Sequence, residues 1–264
     1  MDTETTSKLS NAVATLFGTA GNTFLESKAQ WEADYKDLLS RIQEARETGT
    51  ISDKLLEDLW WTRSNGVATI KTGALSRRAL EQLQQEFRSL TRQIFSDCSE
   101  KIHRQVIDSF MAFKAQGLVV GVLHSVINRV FAAAHPSQCT TVVSPNIFKL
   151  LVKDINRQWE IDLPDGKEDW LASNRALKEI INRHKPATFD DVQTNILIWR
   201  LYAENDSHES EQMDEPPRTY LPSLSIKSCS ALPAPVKPTT PPAWPYRSPT
   251  HSGTPIKLSR IVAQ

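Results

Sequence analysis

Cysteine is scarce in this chain: 3 among 264 residues, at Cys98, Cys139 and Cys229. Their spacing matches neither a zinc site nor a disulfide framework, which excludes a small disulfide-stapled fold and suits a reducing compartment with inert thiols. Glycine is nearly as sparse, 9 in all, and no phosphate-cradling loop occurs in frame. The one Gly-Lys pair, Gly166-Lys167, is followed by Glu168 and lacks the upstream glycine such a loop requires. Long apolar runs are missing as well. The uncharged apolar stretch from Gln116 to Asn128 is interrupted by His124 and Ser125 and falls short of the roughly 20 residues that cross a bilayer. Neither sign of charge prevails, 31 basic against 31 acidic side chains, which argues against a strongly basic nucleic-acid module while leaving room for a local patch. Met1 to Lys8 has no basic or apolar signal-peptide region. The expected location is the cytoplasm, away from any membrane.

What is present is helical periodicity. Phe24, Trp31, Tyr35, Leu38 and Ile42 share one face of an amphipathic helix over 24–45. Ser52 is a fitting N-cap for a short helix carrying Leu55, Leu56 and Leu59 and ending at Trp60-Trp61, before an Asn65-Gly66 turn. Val67 to Thr72 alternates weakly, as a short strand or extended loop would. From Ser76, Leu80, Leu83, Phe87, Leu90 and Ile94 predict one long helix. Ile102, Val106, Phe110 and Phe113 predict the next. Val119, Val122, Leu123, Val126, Val130 and Phe131 predict the most apolar helix, stopped by His135-Pro136.

Cys139 to Val143 reads as extended, Ser144-Pro145 as a helix start, and Phe148, Leu151, Val152, Ile155 and Trp159 as the face that follows. A further helix through Trp170, Leu177 and Ile181 ends near Pro186, and Thr188 with Asp191 resembles a capping box before Val192, Ile196 and Trp199. The expected fold is mainly α: about eight helices with at most short strands, and a disordered C-terminal tail. Its expected divisions are a flexible N-terminus over 1–20, a helical domain over 21–203 and a proline-rich tail over 204–264.

Catalytic chemistry finds little to stand on. The acidic pairs Glu57/Asp58, Asp97/Glu100 and Asp190/Asp191 fall at helix ends or polar faces, where carboxylates complement the helix dipole. His103, His124, His135 and His184 have no metal-ligand spacing, and no Gly-x-Ser-x-Gly elbow is present. The chain as written is therefore expected to have neither enzymatic activity nor a cofactor. One constellation suits nucleic acid. Trp60, Trp61 and Arg63 precede a turn and offer aromatic and guanidinium faces on which bases stack. The bland alternative is a tryptophan pair closing the core with Arg63 in solvent. Arg77 and Arg78, with Arg88 and Arg92, could meet phosphates along one helix, against the opposing charge of Glu81 and Glu86.

The tail differs from everything before it. Eleven of the 15 prolines follow Ala203; residues 204 to 217 hold six acids and no base, and residues 218 to 264 hold six bases and no acid. The codons of Ser225 to Pro238, read with each third base joined to the next two, permit Asn-(Lys/Gln)-(Ile/Val)-(Leu/Val)-(Leu/Phe)-Gly-Ala-Pro-Gly-Thr-Gly-Lys-Thr. That is an apolar strand followed by a complete G-x-x-x-x-G-K-T nucleotide loop. The expected origin of the switch in composition is out-of-frame translation beginning between Ala203 and Ser225.

Two in-frame stretches, Trp60-Trp61-Thr-Arg-Ser-Asn-Gly66-Val-Ala and Phe131-Ala-Ala-Ala-His-Pro-Ser-Gln-Cys-Thr-Thr-Val-Val-Ser144, resemble the region that precedes the AAA+ module in McrB-type restriction NTPases. The resemblance covers roughly residues 52 to 201. It implies an N-terminal accessory or DNA-recognition region of an antiphage restriction system, here truncated before its motor. It also implies GTP or ATP with magnesium for the full-length parent alone, and a McrC-like nuclease subunit as that parent's partner. The competing expectation is a helical protein–protein interaction module that makes no contact with DNA.

Overall fold

The computed structural model describes residues 3–70, 74–165 and 169–205. The chain divides into two units, Met1–Glu211 and Gln212–Gln264, and all that follows concerns the first. The expected disorder of the tail falls, from residue 206 onward, outside the described residues.

Eleven helices occupy those residues: α1 (Thr3–Leu16), α2 (Thr19–Ser27), α3 (Ala29–Thr48), α4 (Asp53–Trp60), α5 (Arg77–Gln82), α6 (Gln84–Ser96), α7 (Glu100–Ala115), α8 (His124–Ala134), α9 (Pro145–Trp159), α10 (Trp170–His184) and α11 (Asp191–Asn205). No strand is found among the described residues; the only ladder pairing there is an isolated antiparallel bridge between Ser64 and Thr69. The mainly α reading therefore holds, with more and shorter helices than the periodicity predicts. The helix expected over 24–45 is two, broken at Lys28, whose backbone leaves helical geometry at φ −115° and ψ 18°. The long helix expected from Ser76 breaks in the same way at Leu83 (φ −111°, ψ 24°). A single such residue rotates the chain axis while the apolar spacing continues through it, so periodicity cannot register the break.

Two further differences concern the ends of elements. The residues expected to form a flexible N-terminus contain α1, which buries Leu9, Val13 and Leu16 and packs against α2, α9 and α10. The helix expected from Val119 starts only at His124. Gly117, in the left-handed region at φ 72°, turns the chain out of α7, and Val119 and Val122 stay in the irregular segment that follows.

α8 is the centre of the core. Val126 to Ala134 are buried without exception, including Asn128 and Arg129, and α3, α4, α6 and α7 pack around the helix. At roughly 25 cal/mol per Å², such burial is the main favourable contribution to folding, and the two polar side chains persist there only by being hydrogen-bonded. α11 packs on α2, α3 and α9, and α10 on α1 and α7. Among the described residues, no helix is long and apolar enough to cross a membrane.

Candidate nucleic-acid interface

The loop after α4 carries the residues singled out for stacking, and three anchors set its shape. Asn65 is the first. Its Nδ2 donates to the Asp58 carbonyl at 3.0 Å, and its Oδ1 accepts from the Val67 and Ala68 amides at 3.1 and 3.3 Å. Gly66 is the second. It sits at φ 83°, and a Cβ there would lie 2.8 Å from the carbonyl carbon and oxygen of Asp34 in α3. Neither the left-handed backbone nor that approach admits a side chain. The Gly66 carbonyl in turn accepts from the Trp31 indole at 2.5 Å. The third anchor is Arg129 of α8, whose Nη1 reaches the Thr62 carbonyl at 2.6 Å and whose Nη2 reaches the Leu59 carbonyl at 3.1 Å.

On this scaffold the two tryptophans part. Trp60 is fully buried, packs against Phe87 and Phe110 with ring centroids 4.8 and 5.9 Å away, and donates its indole N–H to the Thr91 hydroxyl at 2.8 Å. It cannot stack on a base; as a nucleic-acid contact it is withdrawn. Trp61, one residue on, is 37% exposed. The cause is the end of α4 itself: position 60 falls on the buried face with Leu56 and Leu59, and position 61 rotates off it.

Arg77 comes to Trp61. Its guanidinium carbon sits 5.0 Å from the indole centroid, within the range of a cation–π contact. Two carboxylates share that guanidinium, Glu57 of α4 at 2.8 Å and Glu81 of α5 at 2.9 Å, and they raise its pKa, the hydrogen bond to Glu81 first. Arg77 is thereby a brace for the indole, with its charge already matched. Arg63 and Arg78 are exposed, and among the described residues neither has an ion-pair partner. The row of four arginines does not form. Arg88 turns inward, only 16% of its side chain exposed, to bind the Ile51 carbonyl and Asp53, and the break at Leu83 separates it and Arg92 from Arg77 and Arg78.

Beneath the loop lies Asp58, 8% exposed at its side chain, between Arg41 at 2.6 Å and Lys54 at 2.9 Å. Burial would raise its pKa, but Lys54, Arg41 and Thr62 outweigh burial and hold the carboxyl below its ordinary value. The sequence places Asp58 at a helix end or polar face; it is instead a buried acid paired with Arg41 and Lys54.

The second motif stretch is also structural. From Pro136 to Val143 the chain is irregular and mostly buried, so its backbone polar groups need partners from side chains. Asn128 takes the Val143 carbonyl at 2.9 Å, the Trp170 indole takes that of Val142 at 3.0 Å, and Asn174 Oδ1 accepts the Thr140 amide at 2.8 Å. Asn195 reaches the carbonyls of Pro136 and Cys139 at 3.0 and 3.1 Å. Of these partners only Trp170 stands out in the sequence, as a helix residue and not as a loop anchor. Isolated asparagines on otherwise apolar faces, Asn128, Asn174 and Asn195, were the available signal.

Among the described residues no three His, Cys, Asp or Glu side chains could hold a metal ion, and Gly166 to Glu168 lie outside them. What the arrangement offers chemically is a partly exposed indole braced by Arg77, with the exposed Arg63 two residues along the chain. Comparison of the chain with protein-family models, curated proteins and solved structures found no match.

Proposed function

We propose that residues 21–203 form a DNA-recognition or accessory module that works in front of a McrB-like AAA+ restriction motor, with Trp61 as its stacking contact and Arg63 and Arg78 as phosphate contacts. The exposed indole carries the reading: a large aromatic outside the core, held in one orientation by Arg77 on a loop that three anchors fix. Pre-organisation of this kind lowers the ordering cost of binding. The nucleotide loop permitted by the shifted codons of Ser225 to Pro238 supports the pairing with a motor, and the McrC-like nuclease subunit is a partner of that motor. GTP or ATP with magnesium belongs to the same motor, so the 264-residue chain turns over no nucleotide by itself. The gene sequence checks this half directly: the bases of the Ala231 to Pro238 codons must spell the loop.

Binding to labelled duplex and single-stranded DNA, titrated against salt, tests the module. Base–aromatic stacking is worth about 1–3 kcal/mol, so Trp61→Ala weakens binding by roughly tenfold while Trp60→Phe leaves it unchanged wherever the fold is kept. Arg63→Gln and Arg78→Gln each lower the slope of log affinity against log salt by about 1. No binding at low salt sinks the DNA reading. The second reading, a helical protein–protein interaction module, then takes its place; equal numbers of acidic and basic groups and the exposed apolar side chains of Met111, 49% exposed, and Val120, 87% exposed, favour it.

A further inference from the structure

Cys98 lies between α6 and α7, and Cys139 in the buried segment after α8, 41 residues along the chain. Their sulfurs approach to 3.9 Å, and both residues are buried, at 5% and 0% exposure. A spacing typical of a disulfide framework is absent from the sequence, yet the fold brings these thiols into contact. Arg175 of α10 stands against Cys98, and its buried Nε has no hydrogen-bond partner. The same arginine lines an open groove of about 440 Å³ with Ser137, Gln138, Lys178, Glu179, Asn182 and Arg183, the side from which a small oxidant would approach the pair.

We infer that Cys98 and Cys139 are a peroxide-oxidisable pair that closes to a disulfide, fastening the junction of α6 and α7 to the 136–143 segment. The two thiols are unequal. The Cys139 S–H and the Arg175 guanidinium stabilise a Cys98 thiolate, so its pKa falls despite burial, while burial and the neighbouring sulfur push Cys139 well up. Cys98 is the attacking sulfur, since the thiolate is the reactive form. Its electron pair forms an S–O bond as the peroxide O–O bond breaks, and hydroxide leaves and takes up the proton that Cys98 gave to solvent, making water. Cys139 then loses its proton and attacks the sulfenic sulfur. The S–S bond forms, the S–O bond breaks, and the departing hydroxide takes the Cys139 proton as a second water. Two thiols are oxidised by two electrons and one peroxide is reduced to two waters. The sulfurs must move together by roughly 1.9 Å to reach a bond of about 2.05 Å, a shift open to the irregular 136–143 backbone and to side-chain rotation.

The test uses the full chain carrying Cys229→Ser, so that the third thiol cannot compete, treated with hydrogen peroxide and then alkylated under denaturing conditions. The expected result is loss of two hydrogens from the intact mass and a linked Cys98–Cys139 peptide pair that dithiothreitol releases. In Cys139→Ser, and in Cys139→Ala as a second variant, dimedone traps a sulfenic acid on Cys98. Both thiols remaining alkylatable after peroxide overturns the inference. Oxidation of Cys98 to the sulfinic acid without the linked pair overturns it too, as does a dimedone adduct on Cys139 in Cys98→Ser with none on Cys98 in the reciprocal variants.

Discussion

Arg129→Ala lowers the free energy of unfolding by about 4 kcal/mol, measured by urea denaturation at neutral pH. The side chain is 1% exposed, and its guanidinium takes the Leu59 and Thr62 carbonyls, groups that the end of α4 leaves without intrahelical partners. Hydrogen bonds to a charged donor are worth about 1.5–3 kcal/mol each, and a buried acceptor stripped of its partner adds its own desolvation cost. Burial brings the Arg129 pKa down to about 10, with Asp58 opposing it, so the group is still charged at neutral pH. Arg129→Met separates these contributions from simple cavity formation, because methionine keeps most of the buried stem. It should still lose about 2 kcal/mol or more. A methionine variant within about 0.5 kcal/mol of the parent, the range of an ordinary surface change, would mean that the carbonyl contacts contribute little.

Which parts of this arrangement were legible beforehand follows from what each signal measures. N-caps depend on one side chain and a local backbone, and Ser52 caps α4 as expected, accepting the Leu55 amide at 3.1 Å. Pro145 begins α9 as expected, although Ser144 makes no side-chain cap. The capping box of α11 is displaced. It is formed by Asp190 and Gln193, whose reciprocal bonds measure 2.8 and 3.3 Å, in place of Thr188 and Asp191. A pattern three residues apart recurs in so short a polar stretch, and only the helix start selects among the copies. Tertiary information was less accessible still. Trp60 and Trp61 look alike in sequence, and it is the end of α4 that turns Trp60 onto α6 and α7 and Trp61 off the buried face.

Buried polar side chains explain why the two motif stretches stand out at all. Arg129, Asn128, Asn174 and Asn195 come from α8, α10 and α11, far apart in the chain, and converge on loop backbone that makes few bonds of its own. An asparagine within a helix reads as weakly unfavourable in isolation. Its reason appears only when the loop it satisfies is placed opposite. The same convergence brings Cys98 to Cys139, a contact that no spacing rule could find, because the sulfurs belong to separate segments joined through the core.

Lys178 gives the second large effect, as a dependence on pH. It is 1% exposed and donates to Asn195 Oδ1 at 2.9 Å, with Asp191 at 3.7 Å; Asn195 also donates to the Tyr35 hydroxyl at 3.3 Å. Burial lowers its pKa from 10.5 to about 8, against the attraction of Asp191 and with a further push from Lys185. The unfolded chain thus holds this proton more tightly than the folded one. Below pH 8 the fold carries the full cost of a buried ammonium; between pH 8 and 10.5 the cost fades as the native state releases the proton first, so stability from this group rises with pH. At about 1.36 kcal/mol per unit, the rise amounts to roughly 3 kcal/mol. Lys178→Met removes it. Urea unfolding of parent and variant from pH 7 to 10.5 should show the parent gaining on the variant across that interval, while titrations common to both cancel. A constant difference over the whole interval would place the Lys178 proton at an ordinary affinity, and Asp191 and Asn195 would then fully offset its burial.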